Sequence, residues 1–437
     1  MRGKVSMVIA VVLVLSTLLV ACGPKATPTP VPQPTTPPAQ PTTAPAQPTA
    51  APTAAPTTKP APEFIEIGAS IPLTGKYGSL GSQVKAGYDI AVEHINAAGG
   101  VYVKEYDKKI PLRLTVYDDE SDPTKAVSKM ETLFAEQRVV AYLGGAASDM
   151  HAATTAIAEK NKVPYLGVSF ALYQIHQQGY KYLFSPFPKS PAQTRDVFEV
   201  LNTIPADQRP KKIAIFQEKT DWGVELGKMW TENAAKYGYD IVVHEEYTPR
   251  STDFSAMILK AKAAGAEVLL TVPAPPDGLA MQKQMAELGW TPKFTLMIRA
   301  PENVSWTETL GKVGDYVTMF AGWHHGEKFP GVDKLNADHQ AKFGRPADLL
   351  TGPAYACVQI LADAIERAGT LDRDAIRDAI AATNMMTVIG PVTFNPDGTG
   401  NVLNPLSQWI NGKLELVWPP EHATAPLAYP AVPFDQR

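Results

Sequence analysis

Cysteine is nearly absent. The 437 residues hold two, Cys22 and Cys357. Cys22 closes an N-terminal apolar run, so the folded part keeps one, and counting excludes a disulfide within it. Cys357 sits in the apolar segment Tyr355–Leu361 and reads as a small buried hydrophobe. An excess of basic charge is lacking too. There are 40 Lys and Arg against 44 Asp and Glu, a net charge of −4, with no basic patch of the kind nucleic acid needs. Catalytic signatures are equally scarce. There is no Gly-x-Ser-x-Gly elbow and no phosphate loop. The adjacent pair His324-His325 lacks a metal-ligand spacing such as His-x-x-x-His. The acidic run Asp118-Asp119-Glu120 fits a solvated turn or helix cap better than a cation site. The chain therefore reads as non-enzymatic, with no cofactor or metal expected.

The N-terminus carries the first positive signal. Arg2 and Lys4 precede the apolar run Met7–Val20, which is shorter than the ~20 residues of a membrane-spanning helix. A basic start, a short apolar stretch and small residues after it make a signal peptide, 1–21. Its close, Leu19-Val20-Ala21-Cys22-Gly23, resembles the lipobox of bacterial lipoproteins. That resemblance implies cleavage before Cys22 and its diacylation, an anchor to the outer face of the cytoplasmic membrane; an ordinary signal peptide followed by a chance cysteine is the alternative. Two acyl chains anchor stably where one is marginal. Residues 22–62 are then a Pro-, Thr- and Ala-rich segment with no large apolar side chain after Val31, an extended tether of about 3 Å per residue.

From residue 64 the pattern changes to short β-type runs alternating with helical periodicity, the mark of a parallel sheet wrapped by helices. Strands are expected at Phe64–Ile71, around Leu112, Leu114 and Val116, at Val139–Leu143 and at Val163–Val168. Between them, Val84, Tyr88, Ala91 and Ile95 share one helix face, and Asp122-Pro123 caps a helix burying Val127, Met130 and Phe134. A second βα series runs from Lys212 to Ile298. Later helices are expected near Val332–Phe343, Gly352–Ala368 and Arg373–Ala382, with hairpin turns at Pro396-Asp397-Gly398 and Asn411-Gly412. The expected fold class is α/β, with two doubly wound, Rossmann-like lobes.

Five segments, in order along 64–415, carry a family resemblance. They are Ile67–Gly75 (IGASIPLTG) with Tyr77-Gly78, Gly87–Gly100, Tyr117–Asp119 followed by Asp122-Pro123 and Ala126, Thr252–Ser255, and Gly390–Phe394. Together they resemble the leucine/isoleucine/valine-binding protein family of type I periplasmic solute-binding proteins. The resemblance implies two lobes joined by three crossings, near Pro186, Gly314–Tyr316 and Thr387. It divides the chain into lobe 1 (64–187 and 317–386), lobe 2 (188–316 and 387–420) and a tail (421–437). It further implies a small-molecule ligand bound between the lobes, hinge closure around it, and delivery to the permease and ATPase of an ABC importer. A ligand-sensing ectodomain working with a membrane receptor would share the same fold.

Doubly wound sheets bind ligands at the carboxyl ends of their strands on general grounds. Gly144–Asp149 links a strand to a helix there, and small residues at a helix N-terminus let backbone N–H groups meet an anion. By resemblance Ser148 binds the ligand carboxylate, although a plain N-cap serine fits the same place. Ser169 and Ala171 match positions whose main chain meets the ligand's polar end. Tyr77 and Trp222 match aromatic residues of the two lobes, Trp222 being open to a core reading as well. The pattern then departs from amino-acid binders. Arg299, placed by Asn303-Val304-Ser305, or Ile298 if the register slips by one, stands where such members have an acid for the ammonium. Ala274 stands where they have a tyrosine. Arg299 is expected to face a second ligand carboxylate, with Tyr77, Trp222 and Trp323 sandwiching an apolar or aromatic body. The ligand class expected is an organic or aromatic carboxylate, or an amino acid if Asp221 substitutes as the acid.

Overall fold

The computed structural model describes residues 60–302 and 305–437, together with 29, 30 and 32. The leader, Cys22 and most of the tether lie outside the described residues. A five-stranded, all-parallel sheet has the spatial order Leu112–Asp118, Ile65–Ile71, Ala141–Leu143, Tyr165–Leu166, Leu183–Phe184. A seven-stranded sheet runs Lys413–Trp418, Leu406–Ile410, Val317–Phe320, Phe294–Met297, Val268–Thr271, Lys212–Glu218, Asp240–Tyr247. It is parallel except where Leu406–Ile410 pairs antiparallel on both sides. Inner strands such as Ile65–Ile71 and Val268–Thr271 are almost wholly buried, as in a sheet covered on both faces, while the edge strands Leu112–Asp118 and Asp240–Tyr247 carry polar residues.

Local sequence accounts for most elements. In the helix Gly78–Ala97, Val84, Tyr88 and Ala91 are buried and Ile95 is partly buried against the same core. Gly87 lets that helix lie against Thr351–Ala368, since a Cβ there would fall 2.3 Å from the Thr351 carbonyl oxygen. Asp122 caps Pro123–Ala135, accepting the Thr124 and Lys125 N–H groups. The buried face of that helix is Ala126, Met130 and Leu133, one step round from the expected Val127–Met130–Phe134 stripe. Asn411 and Gly412, both at positive φ, make the tight hairpin turn their sequence calls for.

Three features differ from expectation. The strand Val317–Phe320 pairs into the second sheet, so the chain leaves lobe 2 after Phe320 rather than at 314–316. The hairpin around Thr387 packs Val388, Ile389 and Val392 into the first lobe's core, and the chain returns to the second sheet only at Leu406. A hydrophobic strand reads alike in either sheet, so its neighbours decide. The helix Ser190–Thr203 has no counterpart among the elements read from periodicity, though it opens Ser-Pro and buries Val197, Phe198, Val200 and Leu201. The tail is docked onto lobe 2. The Ala428 N–H donates to Gln408 Oε1 at 2.8 Å, and Arg437 donates to the Val313 and Asp315 carbonyls.

Candidate functional site

The carboxyl ends of both sheets meet in a cleft. On the first-lobe side, Asp118 holds the loop after Ile65–Ile71, accepting from the Leu73 N–H (3.0 Å) and Thr74 hydroxyl (2.8 Å). Asp119 accepts from Ser70 (3.0 Å), and burial pushes its carboxyl up to about 6. The acidic run is thus a loop anchor. Ser148 is the first residue of the helix Ser148–Asn161 and does not cap it; its hydroxyl accepts the Leu172 N–H at 3.3 Å. Ala147 before it has φ 76° and ψ 146°, and Ser169 has φ 57°; the Ala147 N–H donates to the Ser169 carbonyl. Such backbone costs of order 1–3 kcal/mol per residue and clusters where geometry serves a ligand.

On the second-lobe side, Thr220 caps the helix Asp221–Tyr237 and places Trp222 at the cleft, 7% exposed. The Trp222 indole donates to Ser190 Oγ at 3.1 Å. Three adjacent strand ends, Glu218, Val272–Pro273 and Arg299, then converge. One terminal nitrogen of Arg299 donates to both Glu218 oxygens at 2.9 and 2.8 Å and to the Val272 carbonyl, and Nε donates to the Pro273 carbonyl. The pair is almost fully buried, at 6% and 2% side-chain exposure. Burial alone would lower the Arg299 pKa, but the Glu218 carboxylate outweighs it and holds the guanidinium charged. The same group lies 5.6 Å from the Tyr77 ring centre and 5.5 Å from that of Trp222.

Three neighbouring cavities mark the cleft. One of about 50 Å³ is lined by Tyr77, Ser148, Trp222 and Arg299. One of about 20 Å³ is lined by Ser169, Ala171, Trp222, Arg299 and Glu302. One of about 440 Å³ at the mouth is lined by Tyr77, Glu218 and Ala274. Seven of the eight residues expected at the ligand thus come together. Trp323 does not. It is 1% exposed, donates to the Val388 carbonyl at 2.8 Å, and lies in the first lobe's core. The role expected of Arg299 also changes, because Glu218 already neutralises it and no charge is left over for a second ligand carboxylate. The apolar sandwich between Tyr77 and Trp222 is occupied by that guanidinium.

Sequence reasoning missed Glu218, Gln193 and Glu302. Glu218 ends a strand, which is a signal in itself, but its partner is 81 residues away. Gln193 lines the small cavity and has a buried Oε1 with no partner. Burial pushes the Glu302 carboxyl up to about 7. A separate cavity of about 450 Å³, bounded by His324, Arg345, Trp409 and Leu414, holds none of the residues picked from sequence. The His324 and His325 rings stack at 4.2 Å, and the described residues contain no metal-ligand cluster.

A two-lobed α/β fold with its polar groups gathered between the lobes fits a solute-binding protein. The chain matches the family model described as periplasmic binding protein over residues 65–412, and it belongs to that family. A Leu/Ile/Val-binding protein homologue of Brucella abortus is 24% identical over 389 residues, 85% of this chain and 95% of the relative. The leucine-, isoleucine-, valine-, threonine- and alanine-binding protein of Pseudomonas aeruginosa is 27% identical over 341 residues, covering 77% and 87%. The structure of a leucine-binding protein from Thermotoga maritima superposes with a TM-score of 0.72 at 22% identity, covering 81% of this chain and 97% of the other. A solute-binding protein of R. palustris in complex with benzoate superposes at 0.69 with 16% identity, covering 81% and 95%. The chain is therefore an extracytoplasmic substrate-binding protein of the leucine/isoleucine/valine-binding type, not an enzyme.

Proposed function

We propose that this protein is a lipid-anchored solute receptor that captures a small monocarboxylate with an apolar or aromatic body and delivers it to a branched-chain-amino-acid-type ABC importer. One observation carries the ligand class: of the acids that line the cleft, all but Asp221 at its exposed edge are already engaged. Glu218 is held by Arg299 and by the Thr220 hydroxyl. Asp149 is held by Lys76 at 3.0 Å and by the Tyr77 hydroxyl. Asp277 accepts the Arg250 N–H, and burial raises the carboxyls of Asp277 and Glu302 toward their neutral form. A ligand ammonium closed into this space and not paired with Asp221 would be an unpaired charge costing several kcal/mol. A carboxylate, in contrast, meets the Ser148 hydroxyl and the helix N-terminus behind it. Leucine and its deaminated analogue 4-methylpentanoate separate the two cases. Calorimetry should show 4-methylpentanoate or benzoate binding at least about tenfold tighter than leucine, a difference of ~1.4 kcal/mol. Leucine binding at micromolar affinity, tighter than its deaminated analogue, would remove this ligand class.

The anchor is tested separately. Cys22→Ala should leave the protein unprocessed or release it from membranes on fractionation. A processed form that stays membrane-bound would rule out lipidation at Cys22.

A further inference from the structure

Lys189 is 6% exposed and lies between Pro188 and the helix Ser190–Thr203, where the chain first passes between the lobes. Its Nζ donates to the Phe170 carbonyl at 2.8 Å and to Ser185 Oγ at 2.6 Å, and it stands 3.5 Å from the centre of the Phe170 ring. No ion pair with it is formed among the described residues. The charged and titratable groups packed around it come from five elements. His151 and His176 flank the Phe170 ring, and burial pushes both down to about 3, so both are neutral. The Cys357 thiol is pushed up by burial and is neutral too. Glu225 is committed to the Tyr173 and Gln174 N–H groups, and Asp397 to Thr399 and the Tyr173 hydroxyl. Lys189 also sits at the positive end of a 14-residue helix, which disfavours a cation further.

The geometry gives this lysine a purpose. The Phe170–Ala171 peptide is trans, so its C=O and N–H point in opposite directions. Lys189 holds the carbonyl end, which leaves the Ala171 N–H directed away from it, and Phe170 and Ala171 both line the cleft. A charge on the lysine polarises this peptide and strengthens the N–H as a donor. Ser190 holds the next carbonyl, Ala171, at 2.9 Å and the Trp222 indole at 3.1 Å, so the loop cannot turn over.

We infer that Lys189 is a positioning residue and the buried countercharge for a ligand carboxylate, acting through the Phe170–Ala171 peptide and taking a proton from solvent as the anion binds. The inference rests on the carboxylate reading of the cleft. Burial holds the amine well below its ordinary range in the empty protein. A nearby anion shifts it back, so between those two ranges binding is accompanied by proton uptake.

Calorimetry of the full chain with benzoate and 4-methylpentanoate, run at a series of pH values from neutrality up to the range of an ordinary lysine amine and in two buffers of different ionisation enthalpy at each, reads the uptake directly. Wild type should take up protons on binding either ligand. Lys189→Met and Lys189→Gln, the second keeping a hydrogen-bond donor without charge, should take up none and bind about tenfold more weakly, the factor equivalent to one pKa unit. Glu302→Gln should retain the uptake, which separates the lysine from a cleft carboxyl that burial pushes up to about 7. Zero uptake by wild type, or unchanged uptake and affinity in both lysine variants, overturns the inference and leaves the ligand class standing. If neither carboxylate binds wild type, the ligand class fails and the inference with it.

Discussion

Arg299→Ala is expected to destabilise the protein by about 3–5 kcal/mol, the range for removing one partner of a buried ion pair. The guanidinium bridges three strand ends, satisfying the Val272 and Pro273 carbonyls and both Glu218 oxygens. Without it Glu218 keeps, among the described residues, only the Thr220 hydroxyl, at 3.1 Å, in a site where its side chain is 2% exposed. The cost is therefore mainly that of a carboxylate stranded away from water, not of the lost attraction. The double variant Arg299→Met/Glu218→Leu should recover most of the loss, since apolar replacements of a buried pair are often neutral. Scanning calorimetry of the ligand-free protein measures both. A loss below about 1 kcal/mol for Arg299→Ala, the scale of an exposed pair, would mean that water reaches Glu218 and that the charge is available to a ligand after all.

Trp323→Ala is expected to cost about 3–5 kcal/mol of stability, as for other buried tryptophans, while leaving ligand affinity unchanged in the protein that remains folded. The indole is packed flat on a helix: a Cβ on Gly352 would lie 2.2 Å from it. Its N–H is the partner of the Val388 carbonyl, so truncation opens a cavity and orphans a buried acceptor together. Parallel calorimetric titration and thermal unfolding distinguish this from a cleft role. A large affinity loss with little change in melting temperature would return Trp323 to the ligand.

Trp323 and Trp222 show why the site was legible only in part. Both follow a strand and both are aromatic. Trp222 belongs to a helix start whose Thr220 cap and Gly223 are written in adjacent residues, so its position could be read locally. Trp323 belongs to a crossing segment, and its partners, Gly352 and Val388, lie 29 and 65 residues on. The same contrast separates Ser148, recognisable from the small residues before it, from Lys189, which has Ser185 four residues away but whose other partner, the Phe170 carbonyl, follows a different strand.

By itself the sequence determined the α/β alternation, the hairpin turn at Asn411-Gly412 and the helix begun by Asp122-Pro123. Each depends on periodicity, backbone freedom or capping within a few residues, and such preferences act on the chain wherever it folds. Tertiary structure alone decided which sheet Val317–Phe320 joins, that Glu218 meets Arg299, and that Lys189 is buried with no ion pair among the described residues. A strand's neighbours are chosen by the collective burial of both faces, and a charge's partner is whatever that strand order brings to the same end of the sheet. Neither leaves a mark in the residues beside it. The charge preference proposed for the ligand rests on those long-range pairings, because an ion pair completed inside the protein is one that no ligand can complete.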